Sequence, residues 1–98
     1  MDNGVVITPK SFKRAFELLR DNDWGKVVVS TEMGGQCAPH FVGITVDEYL
    51  HSNWSLIAYL TTGIGTAGMI HKYGTEEQTD KYVSKLVTSE RGGTMLLT

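Results

Sequence analysis

Thr75-Glu76-Glu77-Gln78-Thr79-Asp80-Lys81-Tyr82-Val83-Ser84-Lys85-Leu86 is the stretch from which the fold can be read. Thr75 and Gln78 stand three residues apart, the spacing of a capping box, in which each side chain accepts a hydrogen bond from the other's backbone amide. Glu76 and Glu77 then fall in the first turn, where the positive end of a helix favours acids. Tyr82, Val83, Leu86 and Val87 recur at helical spacing and form a stripe to bury, leaving Lys81 and Lys85 in water. The pattern predicts a helix from Thr75 that closes by Ser89.

Working back from Thr75, Gly74 is the stop of a preceding helix that the pattern places over Trp54 to Tyr73, with Asn53 and Ser55 as candidate caps. Pro39 starts another helix over His40 to His51, in which Phe41, Ile44, Tyr49 and Leu50 are the apolar positions. Gly34-Gly35 marks the loop before it, two glycines that permit backbone angles a side chain would forbid. Trp24-Gly25 and the β-branched run Lys26-Val27-Val28-Val29 read as an extended piece too short to form a sheet alone. The first helix opens at Thr8-Pro9, with Thr8 as cap and Pro9 in the first helical position. Phe12, Ala15, Phe16 and Leu19 form its apolar stripe against Lys13, Arg14, Glu17 and Arg20. Asp21-Asn22-Asp23 ends it, because these side chains compete for the backbone. Forward of the fourth helix, Gly92-Gly93 turns the chain into Thr94-Met95-Leu96-Leu97-Thr98, which has strand composition and no evident partner. An unpaired strand suggests truncation. The expected fold class is mainly α: a helical bundle over residues 1–93, with 94–98 opening a truncated β domain.

The chain has 98 residues, enough for one small core that buries roughly two thirds of the unfolded surface. Nine Lys+Arg against eleven Asp+Glu give a net charge of -2, with no basic run to neutralise a row of phosphates, so nucleic acid is not expected as a partner. The single cysteine, Cys37, excludes an internal disulfide and suits a reducing compartment. Asp2 stands where a signal peptide needs bases, and Val5-Val6-Ile7 is too short for a signal core. Leu56 to Ile70 is the longest mainly apolar stretch, broken by three Thr and three Gly and short of the ~20 residues a bilayer needs. A cytoplasmic chain without a membrane contact is the expectation.

Several motifs bear on function. Gly63-Ile64-Gly65-Thr66-Ala67-Gly68 has the Gly-x-Gly-x-x-Gly form of a dinucleotide loop. That chemistry requires a helix to open at the motif, and Gly74 leaves barely more than one turn beyond it, so close backbone approach is the preferred reading. Cys37 and His40 could supply half a metal site, but His51 and His71 lie at no matching spacing and no metal is assigned. The aromatics Trp24, Tyr49, Trp54, Tyr59 and Tyr82 are taken as core or boundary residues, since they do not alternate with bases. No carboxylate pair or Cys-His arrangement points to a catalytic residue.

The run Tyr73 to Leu86 resembles the Gly-Thr-x-Glu-Gln segment, followed by Tyr-Leu-x-x-Leu, of the acyl-CoA dehydrogenases. Gly92-Gly93-Thr94-Met95-Leu96-Leu97-Thr98 is similar to the family's next segment, which normally continues Glu-Pro. Glu32-Met33-Gly34-Gly35-Gln36-Cys37 is similar to its Tyr-Gly-Gly-x-Gly loop, with Met33 replacing the aromatic and Cys37 the last glycine. The Thr8-Pro9 helix, Trp24-Gly25 and Pro39-His40 look most like the subgroup related to 3-methylmercaptopropionyl-CoA dehydrogenases.

The resemblance implies an amino-terminal helical domain of an enzyme with a β-barrel middle domain and a carboxyl-terminal helical domain, the last carrying the catalytic carboxylate. FAD would lie between those two, so this chain alone is expected to be inactive and not to hold FAD. The implied reaction removes the α proton of an acyl-CoA and passes the β hydrogen as hydride to flavin N5, giving an enoyl-CoA. Electron-transfer flavoprotein or a similar acceptor and a homo-oligomeric assembly are the implied partners. By residue, Thr98 would donate its hydroxyl toward the flavin, with Met95 and Leu97 alongside, although barrel core suits those two nearly as well. The third helix would line the far end of the acyl pocket through Ala58, Thr61, Thr62 and Gly65, which share a face at helical spacing. Close helix packing explains the same small residues. The alternative function is a non-enzymatic helical module that binds a partner protein.

Overall fold

A computed structural model of the chain describes residues 3–94 and 96. Among them are four helices: α1 Lys10–Asp21, α2 His40–Leu50, α3 Trp54–Tyr73 and α4 Glu76–Val87. Short 3₁₀ turns lie at Trp24–Lys26, Thr31–Met33 and His51–Asn53. No β-strand occurs among the described residues, and Thr94 and Leu96 belong to none. The predicted strand falls otherwise on residues 95, 97 and 98, outside the described set.

The capping box is present as read. Thr75 Oγ1 accepts from the Gln78 amide at 3.3 Å, and Gln78 Oε1 accepts from the Thr75 amide at 2.9 Å. From that start α4 buries Val83, Leu86 and Val87 and packs Tyr82 beside them, and Lys81 stays exposed while Lys85 is half-buried. Its counterpart is α3, whose most extensive contact is with α4. Ala67 is fully buried there, and a β-carbon at Gly63 would stand 3.5 Å from the Leu86 carbonyl oxygen. That is an ordinary contact distance, so the approach of the two helices does not itself demand a glycine there. Val29 and Met33 close this core from the loop side.

The first two helices begin differently from the reading. Pro9 and Pro39 both occupy the N-cap, with ψ 142° and 146°, and neither helix has a side-chain cap. Each proline carbonyl accepts the first helical bond, from Phe12 at 3.0 Å and from Val42 at 2.9 Å, so Thr8 lies one residue too early to cap. The end of α1 follows the sequence: Asn22 Nδ2 donates to the Leu18 carbonyl at 2.8 Å, and Asp23 turns left-handed at φ 58°. Phe12, Ala15, Phe16 and Leu19 are half-buried and nothing in α1 is fully so. Tyr59 of α3 meets α1 edge-on, its ring 5.4 Å from that of Phe16 and 6.3 Å from that of Phe12.

Residues 24–29 are not extended. Trp24–Lys26 is a 3₁₀ turn, held by the Lys26 amide donating to the Asp23 carbonyl and by a 2.6 Å ion pair between Lys26 and Asp23. A β-branched run without a neighbouring strand must satisfy its carbonyls some other way. Here the returning chain does so: Gln36, Cys37 and Ala38 donate their amides to the carbonyls of Lys26, Val29 and Val27 at 3.0, 2.8 and 2.8 Å. The two loop glycines have separate duties. Gly34 has φ 85°, and Gly35 lies so close to the Val29 backbone that a β-carbon would overlap it.

Of the apolar positions read for α2, only Leu50 lies on its inward face. Phe41, Ile44 and Tyr49 are 70%, 66% and 79% exposed, whereas Gly43 is buried and Val42, Val46 and Leu50 are half-buried. A β-carbon at Gly43 would overlap Val28 Cγ1, so the inward face is the one that carries no bulk. The aromatics read as core or boundary residues are mostly at the surface: Trp24, Trp54 and Tyr59 are exposed, and Tyr82 is half-buried. Asn53 caps α3 by accepting from the Leu56 amide at 3.3 Å.

Candidate functional site

Helix α3 has two opposed faces. Leu56, Ile57, Leu60, Gly63 and Ala67 are buried on one. Ala58, Thr61, Thr62 and Gly65 share the other, spaced i, i+3, i+4 and i+7, and of these Ala58 is half-buried and the rest are exposed. The Gly-x-Gly-x-x-Gly run lies wholly inside this helix, with no helix opening at it. Its glycines divide: Gly63 is buried against α4, while a β-carbon at Gly65 or Gly68 would meet nothing within 4 Å. Close helix packing therefore does not account for Gly65 or Gly68.

The threonines on the open face turn their hydroxyls inward to the helix. Thr61 Oγ1 donates to the Ile57 carbonyl at 2.9 Å, and Thr62 Oγ1 to the Ala58 carbonyl at 2.8 Å. With the polar atom engaged on the backbone, each presents chiefly its methyl group to a neighbour. The face is made of small residues and is largely apolar.

Beside Thr61 a hollow of about 110 Å³ opens between α2, α3 and the Trp24–Lys26 turn. Ile57 and Leu60, 1% and 3% exposed, Ile64, Val46 and the two glycines Gly25 and Gly43 contribute to its lining. Asp47, an exposed residue, is its one charged contributor. The sequence reading found Thr61 and missed the others. A glycine within the short helix α2 was the available signal. On the far side of Trp24 an open, wholly apolar groove of about 370 Å³ runs between Leu19 and Tyr49.

The remaining candidates stay apart. Cys37 is an exposed free thiol, and no group of three or more His, Cys, Asp or Glu side chains able to hold a metal exists among the described residues. His71 Nε2 lies 3.4 Å from Glu32 Oε2, linking the end of α3 to the loop. Met95, Leu97 and Thr98 lie outside the described residues. No helix among the described residues is long and apolar enough to cross a membrane.

Residues 7–90 match the family profile of the acyl-CoA dehydrogenase N-terminal domain. A 3-methylmercaptopropionyl-CoA dehydrogenase of Ruegeria pomeroyi is 33% identical over 101 residues, which cover 100% of this chain and 17% of that protein. The broad-specificity linear acyl-CoA dehydrogenase FadE5 of Mycobacterium tuberculosis is 30% identical over 93 residues, 95% of this chain and 15% of that protein. The chain thus spans about a sixth of the length of these relatives.

Proposed function

The chain belongs to the acyl-CoA dehydrogenase family, and from that membership we propose that residues 1–93 are the helical amino-terminal part of a longer enzyme, with 94–98 opening its middle β domain. The enzyme converts an acyl-CoA thioester to an enoyl-CoA by α,β-dehydrogenation, with FAD as the hydrogen acceptor. The observation that carries this reading is the profile match over 7–90, which includes all four helices.

In this reading Ala58, Thr61, Thr62 and Gly65 form a wall of the acyl pocket. Support comes from their placement on the face of α3 opposite the core, and from the empty space around Gly65. A wall must be free of side-chain bulk and have no exposed hydrogen-bonding demand, and both conditions hold there. The described residues themselves do not fit a flavin dinucleotide. The glycine run sits inside α3 rather than at a helix start, so its amides are not free to cradle phosphates. Flavin contact is assigned instead to Met95, Leu97 and Thr98, and the α-proton base to a part of the enzyme beyond this chain. No catalytic residue is assigned within the 98. Electron-transfer flavoprotein or a similar acceptor, a homo-oligomeric assembly and a cytoplasmic location complete the proposal.

The test is the visible spectrum of the purified product of the complete coding sequence, with and without acyl-CoA. A bound flavin that bleaches on addition of acyl-CoA is the expected result. A coding sequence that stops at Thr98, with a product that binds no flavin and forms a stoichiometric complex with another protein, would favour the helical interaction module instead.

A further inference from the structure

We propose that Asn3 is a site of spontaneous modification, at which the side-chain amide is hydrolysed through a cyclic imide to aspartate and isoaspartate. Asn3 and Gly4 are adjacent and exposed, and both have left-handed backbone angles, φ 48° and 81°. Two consecutive residues with positive φ follow the pattern of a type I′ turn, which asparagine and glycine adopt at little steric cost. The same pair places a reactive side-chain carbonyl next to an unhindered backbone amide.

The reaction takes place within the chain. The Gly4 amide nitrogen gives up its proton and attacks Asn3 Cγ, the bond from Cγ to Nδ2 breaks, and the departing amide nitrogen takes up that proton and leaves as ammonia. A five-membered succinimide remains. Water then opens the ring at one of its two carbonyls. Cleavage at Cγ gives aspartate, and cleavage at the main-chain carbonyl carbon of residue 3 gives isoaspartate. One water is consumed and one ammonia released, and nothing is oxidised or reduced.

Access decides which asparagine reacts. The chain has three, Asn3, Asn22 and Asn53. Asn22 Nδ2 donates to the Leu18 carbonyl at 2.8 Å, and Asn53 Oδ1 accepts from the Leu56 amide at 3.3 Å. Both side chains are thereby engaged at helix ends, and Asp23 and Trp54 follow them with side chains that crowd the attacking amide. Gly4 has no side chain, and a β-carbon there would meet nothing within 4 Å. Ring closure also needs backbone freedom around Asn3. Val5, Val6 and Ile7, which follow the turn, are 63%, 73% and 70% exposed, so few buried contacts hold it in place.

Both products make the chain one unit more negative than its net charge of -2. Isoaspartate also lengthens the main chain by one carbon, which a two-residue turn cannot absorb without losing its geometry.

The test uses the purified product of the complete coding sequence, aged at mildly alkaline pH and sampled by peptide mapping with mass spectrometry. Conversion is read as the mass change of an amide to an acid, and fragmentation separates aspartate from isoaspartate. Asn3 is expected to convert at least tenfold faster than Asn22 and Asn53 in the native protein, and within tenfold of its own rate in guanidinium chloride. Conversion of Asn22 or Asn53 at the rate of Asn3 overturns the proposal. An Asn3 that converts in denaturant and stays intact in the native protein also overturns it, because the turn is then shielded. Gly4→Ala is expected to slow conversion at least tenfold, and an undiminished rate shows that the amide of residue 4 is not the nucleophile.

Discussion

Gly43 of α2 and Val28 of the preceding loop meet so closely that a β-carbon on residue 43 would overlap the valine Cγ1. The contact sets how near α2 lies to the turn that precedes it. It joins a buried helical position to an exposed valine fifteen positions earlier, a relation that neither local propensity nor periodicity records.

Gly43→Ala is expected to destabilise the chain by about 1–3 kcal/mol, because one methyl group must displace Val28. Gly68→Ala is the counterpart: a β-carbon there meets nothing within 4 Å, and alanine removes the mid-helix cost of glycine, so stability should rise by roughly 0.5–1 kcal/mol. Urea unfolding followed by circular dichroism measures both. Equal and favourable effects would show that α2 does not approach Val28 as described.

Thr75→Ala removes one half of the capping box and should cost about 1 kcal/mol, with Thr75→Ser recovering most of it. The loss should concentrate in the first turn of α4. Amide exchange at Glu77 and Gln78 is the local readout, and uniform acceleration along α4 would contradict the assignment.

Helix α1 has no fully buried residue and meets α3 through the edge-to-face contacts of Tyr59 with Phe12 and Phe16. Its amides are therefore expected to exchange faster than those of α3 and α4 in the native state. Tyr59→Ala should widen that gap without a comparable change at Leu86. If α1 and α4 exchange at one common rate, the helices unfold together and α1 is not the weaker element.

Gly65→Leu tests the assigned pocket wall. The position is free of neighbours, so the fold should tolerate leucine with a change in stability below about 1 kcal/mol. In the complete enzyme the same substitution should lower kcat/KM for long acyl-CoAs by tenfold or more. Unchanged kinetics across acyl lengths would remove Gly65 from the substrate path.

What the sequence made legible was chemistry between near neighbours. The Thr75–Gln78 box, the Asn53 cap and the stop at Asn22 each involve groups within four residues, and each stands as read. The misreadings share a different cause. Val27, Val28 and Val29 have strand composition, but the carbonyls of Lys26, Val27 and Val29 are claimed by the amides of residues 36–38 across a glycine turn, which composition cannot foresee. In α2 the largest side chains were taken for the buried ones, although a close approach favours the absence of a side chain, at Gly43. The four positions on α3 were found from periodicity and resemblance together, while the hollow behind Thr61 depends on three separated segments and left only an isolated glycine as a trace.

Trp24 lines both the hollow and the apolar groove and is 46% exposed, so part of its indole stands in water. The chain consequently carries its own optical reporter. A molecule or protein surface that seats at either place must strip water from that ring and move its emission to the blue. Trp54, beside His51 at the start of α3, lines neither place and supplies a steadier background against which the shift can be read.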